Sequence, residues 1–190
     1  MARFPGTSSV VASIARGALM VMLGVAVVGC AAISSPNDQA QRQAVAQFYD
    51  AALAMDVQGL PDDAQMARLA RLISPALLDQ LNQARAQQAL DFSRHQGSEP
   101  PLVQGALFFS LFEGAQELIA IEPDDQPLMW VVTLGYGHGA DAFEWTDIAR
   151  VVQLNGRWVV QDIEFMGQWD FARSGWLSNA LLSVQAQTTP

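Results

Sequence analysis

The chain has 190 residues, nineteen acids against ten basic residues, and a formal net charge of −9. That balance excludes nucleic acid and anionic surfaces as partners drawn in by overall charge, and a single cysteine excludes an internal disulfide. Every basic residue is an arginine, and half the residues are hydrophobic, enough for a sizeable core.

Residues 1–29 read as an export signal. Arg3 and Arg16 precede an uncharged apolar run, Ala18 to Val28, that is too short for the roughly 20 residues a membrane-spanning helix needs. A retained span would have to borrow Val10, Val11, Ile14 and Ala15, which places Arg16 inside the bilayer at a cost of several kcal/mol. Cleavage is the preferred reading. Val27-Val28-Gly29-Cys30 then has the order of a lipobox: aliphatic, aliphatic, small, cysteine. The Cys30 thiol is the nucleophile that takes a diacylglyceryl group, and Gly29 gives the peptidase room at the bond before it. Acylation of the new amine adds a chain, and each buried methylene contributes about 0.8 kcal/mol. A membrane anchor bearing palmitate-type chains is therefore expected at Cys30. Ala31, rather than Asp, follows it, which points to the outer membrane. Cleavage removes two arginines and no acid, so −9 becomes −11.

Residues 30–38 are expected to be the lipidated N-terminus and a short tether, and residues 39–186 one periplasmic domain. Val45, Phe48, Tyr49, Ala52 and Leu53 recur at steps of three and four, which predicts a helix from Gln39 to Met55. Gly59 and Pro61 end it. Met66, Leu69, Ala70 and Ile73 predict a short second helix. Ser74-Pro75 opens a third, running to about Arg94, with Leu77, Leu78, Leu81, Ala84, Gln88 and Phe92 on its inner side. The stretch from His95 to Gly114 holds Leu107, Phe108, Phe109, Leu111 and Phe112. This segment is either a plug that fills the core or a partner-binding surface; left exposed it would make a patch of several hundred Å².

The second half has the period of strands. Ala115 to Glu122 is one, with Leu118 and Ala120 on a common face. Leu128, Trp130, Val132, Leu134 and Tyr136 share a face of the next, Gly137 to Asp141 turns the chain, and Ala142 to Leu154 returns. Asn155-Gly156 predicts a tight hairpin into Arg157 to Met166, because both turn positions take positive φ. Leu177, Ala180, Leu181 and Val184 close the domain with a helix. The fold class is α+β: N-terminal helices packed on a curved antiparallel sheet, with a C-terminal helix.

Gln47-Phe48-Tyr49-Asp50, Leu72 to Leu78 and Asn155 to Ile163 together make the chain similar to the YbjP-type lipoproteins of the Gram-negative envelope. The resemblance covers most of residues 44 to 183 and the lipobox. It implies a branch of the nuclear-transport-factor-like, or cystatin-like, α+β cones, and it brings no established activity and no catalytic residues.

Enzymes on such cones keep an acid or base in the cavity at the open end of the sheet. Asp147 and Asp162 are the candidates for the polar group of a pocket, with Glu164, Tyr136 and His138 behind them. Period-two counting puts Asp162 on the face of Trp158 and Val160, where desolvation favours a general base. The plainer reading is a carboxylate that accepts hydrogen bonds from a turn or an arginine. His95 and His138 are far apart, and no metal-ligand spacing or cofactor fingerprint appears. Asp62-Asp63 and Asp124-Asp125 read as solvated loop pairs. No catalytic residue, metal or cofactor is assigned. The expectation is a non-catalytic outer-membrane lipoprotein, tied to the membrane through Cys30 and facing the periplasm, whose domain binds another envelope protein. The alternative is a small apolar ligand pocket, or an isomerase- or dehydratase-like enzyme.

Overall fold

The computed structural model describes residues 35–94 and 103–186; Cys30, Val27, Val28, Gly29 and His95 lie outside them. The described chain is α+β, with four helices and a five-stranded open antiparallel sheet. Helix α1 spans Pro36–Met55, α2 Asp63–Leu69, α3 Pro75–Arg94 and α4 Leu177–Ala186. The strands are β1 (Glu117–Pro123), β2 (Met129–Tyr136), β3 (Phe143–Leu154), β4 (Arg157–Met166) and β5 (Ser174–Trp176), paired in chain order. The expected meander is present, with β5 as a short addition that the sequence reading passed over.

Helix α1 starts earlier than its periodicity suggested, inside the stretch 30–38 expected to be a tether. Ser35 is its cap: the Ser35 hydroxyl accepts from the Asp38 amide at 3.0 Å, and Asp38 accepts from the Ser35 amide at 3.1 Å. Such a reciprocal cap contributes about 1 kcal/mol, and Pro36 at the first helical position needs no partner for an amide. Helix α2 is likewise boxed by Asp62 and Gln65. It stops at Leu69, so Ala70 is exposed rather than part of a buried face. Ile73 lies past that helix in an extended segment bridged in parallel to Val160. The Ser74 amide donates to the Val160 carbonyl at 2.8 Å, and the Val160 amide donates to Leu72 at 2.9 Å. In α3 the inner stripe of Leu77, Leu81 and Ala84 continues to Asp91, not to Phe92, which is 62% exposed.

Two bulges decide which side chains reach the core. In β1 the register slips between Leu118 and Ala120, leaving Ile119 as the extra residue. Leu118 and Ile121 therefore pack against the core, and Leu118 and Ala120 do not form the expected common face. In β4, Val151 pairs with Val160 but Arg150 pairs with Asp162, so Gln161 is extra. Arg150 and Val151 are neighbours and point to opposite faces, which moves Asp162 off the face of Val160. Ile163, opposite Ala149, takes the core position instead. Trp130, Val132 and Leu134 face inward from β2 as expected; Leu128 falls outside that strand at φ 66° and is exposed. Asn155 (φ 51°) and Gly156 (φ 78°) make the predicted turn. Leu177, Leu181 and Val184 of α4 are buried, whereas Ala180 is exposed.

Candidate functional site

The apolar segment before β1 is the first place to look for a site, and it is closed. Leu107 (1%), Phe108 (0%), Phe109 (4%) and Leu111 (8%) are buried, and only Phe112 is exposed. The reading of Leu107, Phe108, Phe109, Leu111 and Phe112 as a partner surface therefore gives way to the plug for all but Phe112. The reason is local. The Ala106 amide donates to the Phe112 carbonyl at 2.7 Å, and the Leu107 amide donates to Val57 at 3.2 Å, so the loop folds back under α1. Gly105, at φ 69°, leaves no room for a Cβ, which would sit 2.7 Å from the Phe112 carbonyl oxygen. Phe108 meets Phe48 edge-on at 5.3 Å, and Phe48 meets Tyr49 at 5.2 Å. Trp130 and Trp145 complete this core. Aromatic rings fill the core beneath the plug.

Asp147 lies under this plug, fully buried. It accepts from the Ser110 amide (3.0 Å), the Met166 amide (3.0 Å), the Trp145 indole (3.3 Å) and the Ser110 hydroxyl. Ser110 also accepts from the Gly167 amide at 3.1 Å. One carboxylate thus ties the plug to β3 and to the end of β4. Burial pushes the Asp147 carboxyl above the usual carboxylate range, and the hydrogen bonds from Ser110, Met166 and Trp145 pull it back. The Tyr49 phenol is raised well above its ordinary value, by burial first and then by the Asp147 charge. Its hydroxyl has no hydrogen-bond partner among the described residues.

Asp162 has a different task. It accepts from the Ser178 hydroxyl (2.6 Å), the Ser178 amide (3.1 Å) and its neighbour Ile163 (2.9 Å). Ser178 is the second residue of α4, so this carboxylate satisfies an otherwise orphaned amide and complements the positive end of that helix. The structure therefore separates the two candidate pocket carboxylates: Asp147 holds the plug, and Asp162 caps a helix. Neither lines any of the five surface clefts described, which measure about 570, 530, 480, 260 and 210 Å³. His138 is exposed between Gly137 and Gly139. Asp62 caps α2, Asp63 pairs with Arg85, and Asp124 accepts from the Gln126 amide. Among the described residues no cluster of three metal-ligating side chains occurs, and no helix is long and apolar enough to cross a membrane.

Two surface features were not legible in the sequence. At the end of the sheet where β2 finishes and β3 begins, Phe143 packs on Tyr136 (6.0 Å) and Trp169 (6.0 Å), and Trp145 packs on Trp169 (5.9 Å). Beside this cluster, in a turn closed by the Ala172 amide on the Trp169 carbonyl, Phe171 is 97% exposed at φ 70°. A bulky residue at positive φ is a genuine outlier. The second feature is the largest of the five clefts described, about 570 Å³, bounded by Gln47 and Asp50 of α1, by Arg68, Arg71 and Leu72, and by Arg157 at the start of β4. No protein-family model, curated protein or solved structure matches the chain.

Proposed function

We propose that the chain is an outer-membrane lipoprotein of the YbjP-type, held by acyl chains on Cys30, whose periplasmic domain works without turnover by binding another envelope protein. One thing supports the anchor: the apolar run ends in Val27-Val28-Gly29-Cys30. Phe171 is the observation that carries the binding role. It is a large apolar ring, almost wholly in water, on a backbone conformation that costs about 1–3 kcal/mol to hold. Neither packing nor turn chemistry asks for phenylalanine there, and a contact with a second molecule does. Trp169, two residues before it, packs edge-on against Phe143.

The enzyme reading has less behind it. Its two carboxylates are committed to Ser110, Trp145 and Ser178, and the space above the sheet is filled by Phe108, Trp130 and Trp145.

Exchange of Cys30 for serine is expected to abolish labelling by radioactive palmitate and to release the protein from sedimented membranes. Unchanged labelling removes the anchor from the proposal. A photo-crosslinking amino acid at position 171 in growing cells is expected to give one discrete adduct with an envelope protein, and the same probe at Arg94 none. A ladder of equal adducts at both positions defeats the assignment of this surface.

A further inference from the structure

We infer that the cleft bounded by Arg68, Arg71 and Arg157 binds a ligand ending in a phosphate monoester. The accounting of arginines leads there. Ten arginines less Arg3 and Arg16 leave eight in the described chain. Three have evident structural work: Arg85 pairs with Asp63, Arg150 lies 4.1 Å over the Trp176 ring, and Arg173 donates to the carbonyls of Leu107 and Gln104. Of the five others, three meet in one cleft, and none of those three makes an ion pair or side-chain hydrogen bond with a described residue. Asp50 lines the same cleft without coming within ion-pair distance of any of them. In a chain of net charge −9, three like charges gathered around one carboxylate, with no ion pair among them, leave a local positive excess that calls for an anion from outside.

The backbone that carries the three is fixed, while their side chains are exposed. Arg71 precedes Leu72, whose carbonyl accepts from the Val160 amide, and Arg157 lies on the same strand as Val160. That backbone bridge fixes the α2–α3 connection against β4, and Arg68 stands one turn earlier at the end of α2. The backbone therefore needs little reorganisation to bind, and the three exposed side chains order on the ligand.

The donor set selects the anion. A terminal phosphate presents three acceptor oxygens and close to two negative charges. Three guanidinium forks match the oxygens, and three cations against Asp50 match the charge. A carboxylate has one oxygen and one charge too few. The remaining walls, Leu72, Ala51 and Gln47, leave room for the organic part of the ligand. This site stands apart from Phe171 and does not depend on acylation of Cys30.

The test uses the full chain in neutral detergent micelles at low salt. One arm titrates glycerol 3-phosphate by calorimetry, with glycerol as the uncharged control. The other dopes the micelles with phosphatidic acid, or with phosphatidylglycerol as the singly charged diester. Saturable binding of the phosphate monoester in either arm is expected, and which arm responds identifies a soluble or a lipid source. R71Q and R157Q should each weaken it by about tenfold or more, while R94Q leaves it unchanged. Absence of saturable binding in both arms overturns the site. So does binding that R71Q and R157Q leave intact, or a diester bound as tightly as the monoester.

Discussion

Truncation of Phe108 to alanine is expected to lower the unfolding free energy by about 3–5 kcal/mol, measured by urea denaturation. The ring is fully buried and meets Phe48 edge-on, so its removal forfeits both the apolar transfer and a well-aligned aromatic pair. The surroundings cannot collapse cheaply into the void. Phe48 and Tyr49 are fixed by the α1 backbone, and the loop is pinned at both ends through Leu107 to Val57 and Ala106 to Phe112. Phe112→Ala is the control: its ring is half exposed, and its removal should cost no more than about 1 kcal/mol. Equal losses from the two substitutions contradict the account of this segment as a core plug.

Asp147→Asn is expected to cost about 1–3 kcal/mol although it leaves the number of non-hydrogen atoms unchanged. Both carboxylate oxygens accept two hydrogen bonds, and an amide supplies only one acceptor oxygen. In either orientation a backbone amide, Ser110 or Met166, is left facing an NH₂ group. The pH dependence adds a sign. Burial raises the folded-state value of Asp147 above that of the unfolded chain. Its contribution is therefore whole below the unfolded carboxylate value, and it falls as pH rises through the window up to the raised one. Asparagine does not titrate, so the gap between wild type and Asp147→Asn should be widest in acid and narrow toward neutral pH. A gap that widens with pH instead would mean that the hydrogen bonds outweigh desolvation.

The sequence made some of this legible and hid the rest for definite reasons. Helix faces and the Asn155-Gly156 turn depend on neighbours within a few residues, and the fold class followed from them. Bulges depend on two strands at once: nothing local to Gln161 marks it as the extra residue, so counting by twos put Asp162 on the wrong face. Phe92 failed for a related reason, since the stripe through Leu77, Leu81 and Ala84 can extend to position 91 or 92, and the exposed end of α3 took the former. The partnership of Ser110 with Asp147 spans 37 residues and two elements. Arg68 and Arg71 are one turn apart, but Arg157 lies 86 residues beyond Arg71 and joins them only through the bridge between Leu72 and Val160.

The displaced residue in β1 has an effect beyond the core. That strand is one of the two edges of the sheet, the other being the short β5, and its unpaired side is where a neighbouring polypeptide could extend the ladder. A kink at Ile119, acids at Glu117 and Glu122, and a proline at Pro123 together spoil it as a template. Copies that meet along this margin therefore collide without fusing into a continuous β-structure.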